Sequence, residues 1–61
     1  MAIEDDEMNV YINSIKNGEF DTVKRIGKLM EVLKERAATH EQVKHILFIW
    51  LDRQKELGNF I

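Results

Sequence analysis

The chain has 61 residues, 44% of them hydrophobic and 33% charged, with no cysteine, no proline and a net charge of −2. That length admits one domain, residues 1–61, and the missing cysteines exclude a disulfide staple, a thiolate zinc site, redox CxxC chemistry and a cysteine nucleophile. A charge this small does not attract a polyanion by field alone, and an active-site cleft of about 300 Å³ does not fit easily inside one copy, so the composition predicts a non-enzymatic protein without cofactor or metal.

Helix one is expected over about residues 4–17. Glu4, Asp5, Asp6 and Glu7 suit the positive end of a helix dipole. Met8, Tyr11, Ile12 and Ile15 follow at i, i+3, i+4 and i+7 as one apolar stripe, and Asn17-Gly18 supplies a left-handed stop. The acidic run lacks the alternating spacing and central glycine of a calcium loop, so it reads as helix-start chemistry.

Helix two is expected over about residues 22–37, with Asp21 as its cap. Val23, Ile26, Met30, Leu33 and Ala37 repeat at steps of three and four, the seam of helices lying nearly side by side, and Leu29 broadens it. Gly27 borders that seam, either as a close approach for a neighbouring helix or as a tolerated surface glycine. Lys24, Arg25 and Lys28 occupy the first two turns while Glu31 and Glu35 lie near the end, the reverse of the dipole preference. The three basic side chains are therefore candidates for contact with phosphate groups or with an acidic partner, against the alternative of a solvated face.

Helix three is expected over about residues 40–57. Thr39 with Gln42 three residues on is a capping-box pattern, and Gly58 is placed to end the helix. Val43, Ile46, Leu47, Trp50 and Leu57 share a narrow arc that Gln54 interrupts, and Phe60 with Ile61 is expected to fold back over the last turn. Only residues 37–39 separate this helix from helix two, which predicts an antiparallel hairpin with helix one lying across it or pairing with a second copy.

Ile46 to Leu51 are apolar in succession, and on a helix six successive residues point in every direction. Coverage by helix one and the C-terminus within a single chain is one reading, and a buried strand is another. The favoured one is an intersubunit core in which two hairpins form a dimeric helical bundle. Ile46, Phe48, Ile49, Trp50 and Leu51 are then the expected dimer or partner interface, with Val10, Val32 or Phe60 left to meet an unidentified protein.

Other constellations carry less. His40 and His45 are about 140° apart on a helix and do not chelate one ion, so Glu41 and His45 read as a surface pair. Helix three is too apolar after its first turn to be the reading helix of a helix-turn-helix. Ser14, Thr22 and Thr39 stand in no nucleophile-elbow or phosphate-loop context. The apolar run is far short of the roughly 20 residues that span a bilayer, and the start shows neither a secretory pattern nor a glycine for myristoylation, which predicts a cytoplasmic protein. The expected function is that of a small regulatory or adaptor protein acting through a helical homodimer; the alternative is a small nucleic-acid-binding regulator contacting phosphates through helix two.

Overall fold

The computed structural model describes residues 2–59. Within them the chain forms three helices, α1 (Asp5–Lys16), α2 (Val23–Glu35) and α3 (His40–Glu56), with no strand among the described residues. Ile46 to Leu51, whose composition also suits a strand, lie inside α3. No helix among the described residues is long and apolar enough to cross a membrane.

Local chemistry explains the helix starts. Glu4 precedes α1 in an extended conformation without a side-chain cap, and Asp5, Asp6 and Glu7 fill its first turn. Thr22, one residue later than the expected Asp21, caps α2 by accepting from the Arg25 amide at 3.1 Å. Asp21 is turned instead toward Arg53 of α3, where a charged partner is available. The Thr39–Gln42 capping box opens α3, as its spacing predicts.

All three helices stop in the same way. Amides one and two residues beyond the cap reach back to carbonyls of the last turn, from Gly18 and Glu19 on α1, Ala37 and Ala38 on α2, and Gly58 and Asn59 on α3. The residue after the cap is left-handed each time, with φ of 87° at Gly18, 79° at Gly58 and 58° at Ala37. Alanine at that position shortens α2 relative to the expected 22–37, because the left-handed backbone cannot continue the helix. Gly18 is required twice over. A Cβ there would also lie 2.9 Å from Arg53 Nη2 and 3.0 Å from Asp21 Oδ2.

The core consists of Ile3, Met8, Ile15, Ile26, Leu29, Leu33, Ile46 and Trp50, with Tyr11, Ile12, Phe20, Met30, Val43 and Ile49 half-buried around it. Helix α1 packs on α3. The predicted stripe of α1 is therefore used within the chain. Two expected seam positions are not: Val23 is 78% exposed at the head of α2, and Ala37 has left the helix.

The arc expected on α3 is met at Val43, Ile46 and Trp50 but not throughout. Leu47 and Leu57 are exposed, and Gln54, expected to interrupt the arc, is 2% exposed. Its amide makes that burial tolerable: Nε2 donates to Asp21 Oδ1 at 3.3 Å and Oε1 accepts from Asn59 Nδ2. Gly27 is surrounded by open space, so its place in α2 owes nothing to close packing within the described residues. The expected fold-back of Phe60 and Ile61 lies outside the described residues.

Candidate interaction faces

Helix α3 is the element on which the expected interface residues lie, and the structure divides them between its two sides. Ile46 is fully buried and Trp50 is 8% exposed, both in the core of the single chain, and the Trp50 indole N–H donates to the Phe20 carbonyl. Ile49 is half-buried against the same core. Phe48 and Leu51 are turned outward, 55% and 38% exposed, with Leu47 beside them. The reason is periodicity: 46, 50 and 54 form an i, i+4, i+8 line toward the core, whereas Phe48 sits about 160° from Trp50. Around Phe48 the outward side carries Glu41, Lys44, His45, Leu51, Asp52 and Lys55, all exposed.

Two polar latches hold the inward side of α3 and the connections to it. At one end Arg53 donates to both oxygens of Asp21, from Nε at 3.2 Å and Nη2 at 3.0 Å, with Gln54 adding a third donor. The Arg53 guanidinium holds the Asp21 carboxyl below its ordinary value, and Asp21 raises Arg53 in return. This pair fastens the chain ahead of α2 to the last turns of α3. At the other end Arg36, just past α2, makes a two-point contact with Glu7 of α1, with Nε donating at 2.8 Å. Tyr11 donates its hydroxyl to the same carboxylate. Arg36, and after it Tyr11, lower the Glu7 pKa, while accepting that bond lets Glu7 raise the Tyr11 phenol above its ordinary value.

Gln42 has a role that its spacing alone does not reveal. Besides closing the capping box, its Oε1 accepts from the Ile3 amide at 3.0 Å and its Nε2 donates to the Ile3 carbonyl at 2.6 Å. The amide side chain thus pairs with both main-chain groups of one extended residue while the Ile3 side chain enters the core. Nothing in the local sequence marks Ile3, which precedes the first helical repeat.

The basic start of α2 is exposed, as its pattern predicts. Lys24, Arg25 and Lys28, with Thr22, line an open cleft of about 320 Å³. The first turn of α2 holds no acidic residue. A larger open cleft of about 550 Å³ separates α1 from the start of α3, with Met8, Ile12 and His45 among its walls. Among the described residues no group of three or more His, Asp or Glu is placed to hold a metal ion. Val10 and Val32 are exposed singly on other helices.

No protein-family model, no curated protein and no solved structure matches the chain.

Proposed function

We propose that this is a small non-enzymatic regulatory or adaptor protein, acting by protein–protein interaction through a helical homodimer. The observation that carries the reading is the outward side of α3, where Leu47, Phe48 and Leu51 stay exposed although the same helix already supplies Ile46 and Trp50 to its own core. Scattered apolar residues are ordinary on a surface, but three on adjacent turns of one helix form a coherent patch. With overall extents of 36 × 19 × 18 Å, the cross-section is about two helix diameters, and each helix keeps a face toward solvent.

In this reading α2 and α3 form an antiparallel hairpin, and two hairpins associate as a dimeric bundle. The hairpin is supported by the Asp21–Arg53 pair, which holds the chain entering α2 beside the end of α3, and by the short connection that leads from α2 into α3. Phe48 and Leu51 lie in the subunit contact, and Val10 and Val32 remain available to a protein target. Sedimentation across the micromolar range tests the dimer: association to twice the 7.2 kDa chain mass is expected, and a monomer throughout would refute it. A pull-down with Val10→Glu and Val32→Glu variants tests the target face, since both should lose a captured protein while still dimerising.

A second reading, a nucleic-acid-binding regulator, is favoured by the cleft lined with Lys24, Arg25, Lys28 and Thr22. Phosphate contacts of this kind make affinity fall steeply with salt. Loss of salt-sensitive binding in a Lys24/Arg25/Lys28→Ala variant that keeps its helicity would select this reading, whereas salt-insensitive capture of a protein would select the first.

A further inference from the structure

We infer that two copies pair through the outward side of α3, antiparallel, about a two-fold axis beside Phe48. The inference rests on the homodimer reading and specifies its surface, direction and register. Seven side chains centred on Phe48 define the contact, with Leu47 at its rim: Glu41, Lys44, His45, Phe48, Leu51, Asp52 and Lys55, every one of them exposed. They fall into three rows at heptad spacing. Glu41, Phe48 and Lys55 form the central row, Lys44 and Leu51 flank it on one side, and His45 and Asp52 on the other.

A two-fold axis makes an interface of one surface with itself; in an antiparallel pair each row stays on its own side, so residues of one row at nearly equal distances before and after the axis meet. With the axis at Phe48, Glu41 lies opposite Lys55 of the second copy, and Lys55 opposite the second Glu41. On one flank His45 faces Asp52, and on the other the Lys44 stem lies over Leu51. The two Phe48 rings meet at the centre. Every carboxylate on this side thereby faces a basic side chain.

The competing direction fails on the same residues. In a parallel, in-register pair the central row meets its own copy and the two flanks exchange sides, which sets Glu41 against Glu41, Lys55 against Lys55 and Lys44 beside His45. Like charges opposed across a contact select against that arrangement. The apolar part of the face is small, and α3 spans only about 25 Å, so the dimer is a concentration-dependent one rather than an obligate one.

Charge reversal tests the register. Glu41→Lys and Lys55→Glu each replace two attractive pairs by two repulsive ones, and each should weaken dimerisation about tenfold in sedimentation at low salt. The double variant Glu41→Lys/Lys55→Glu restores opposite charges in the antiparallel register and should recover the wild-type constant. Phe48→Glu should abolish association, with helicity and the emission of buried Trp50 confirming that each variant is folded. If the wild type dimerises but the single reversals have no effect, or the double variant stays as weak as the singles, this register is wrong while the homodimer stands. A wild-type chain that remains 7.2 kDa across the range overturns both.

Discussion

Both sides of α3 carry large apolar side chains, and these meet opposite fates. On the inward side Ile46, Trp50 and Gln54 are almost completely shielded, although one of them is an amide; on the outward side Phe48 and Leu51 stay in solvent, although both are apolar. Hydrophobicity alone therefore does not decide which side turns in. Position relative to neighbouring anchors decides it, because α1 packs on α3 and the Asp21 carboxylate and Asn59 amide stand where Gln54 can satisfy its hydrogen bonds. A buried polar group with partners is tolerable, whereas an apolar one without neighbours gains nothing from the direction it faces.

The hardest test of this contrast is to cut each side back. Ile46→Ala should cost about 3 kcal/mol, a large share of the stability of so small a domain, because a fully buried branched side chain leaves a cavity behind. Phe48→Ala, measured where the chain is monomeric, should change stability by no more than about 0.5 kcal/mol despite removing a larger side chain. Urea unfolding followed by the emission of the single tryptophan measures both. Equal losses would show that Phe48 belongs to the folded core.

Gln42 stands at the border between the two sides and sharpens the contrast. Gln42→Ala removes half of the capping box and both bonds to Ile3, and should cost about 1–2 kcal/mol. Its distinguishing effect is local. Hydrogen exchange should quicken at the Ile3 and Thr39 amides, while amides in the middle of α2 keep their protection relative to the global unfolding rate. Uniform loss of protection would mean that the strap formed by residues 2–4 and the bundle open together.

These comparisons also show why parts of the fold and the candidate face were legible in the sequence and others were not. Features encoded by spacing within one helix or its ends were readable: the Thr39–Gln42 cap, the glycine stops at Gly18 and Gly58, and the stripe of α1. Asp21 misled because one carboxylate suits either a local amide or a distant arginine, and Arg53 is remote in sequence. The burial of Gln54 and the exposure of Leu47 were hidden for the same reason, since a helical wheel fixes relative angles but not where along an arc the neighbours and hydrogen-bond partners stand. At the candidate face, six successive apolar residues carry no polar marker separating Ile46 and Trp50 from Phe48 and Leu51. Tertiary anchors supply that separation.

Ala37 ends α2 in the left-handed conformation that Gly18 and Gly58 adopt at the other helix ends. A Cβ in that conformation costs roughly 1–2 kcal/mol, and the extra freedom that glycine has in the unfolded chain returns part of it. Ala37→Gly should therefore stabilise the protein by about 0.5–1 kcal/mol, read as a rise in melting temperature. Because the substitution leaves both sides of α3 untouched, dimerisation should be unchanged; a change in association would show that the α2–α3 connection also sets which side of α3 is presented.

The smallest effect belongs to the latches that keep the inward side inward. Glu7 and Asp21 both have pKa values lowered by folding, through Arg36 and Arg53 respectively. A carboxylate lowered in this way contributes stability that is fully present above its unfolded pKa and disappears as pH falls through the folded one, so the loss begins below about pH 5. The raised values of Arg36 and Arg53 have no counterpart near neutrality, because arginine stays charged there. Both groups are partly solvated, so the acid limb should be shallow and should weaken with salt. A Glu7→Gln/Asp21→Asn variant should be less stable at pH 7 and show a flatter acid limb, whereas an unchanged limb would mean that the pairs do not persist in solution. The single tyrosine reports on one latch directly. Tyr11 should ionise above its ordinary value near 10 and move back toward it in Glu7→Gln, followed by phenolate absorbance. Agreement between that titration and the acid limb would tie the α1 end of the molecule to Arg36, and with it the angle at which α3 offers its outward side.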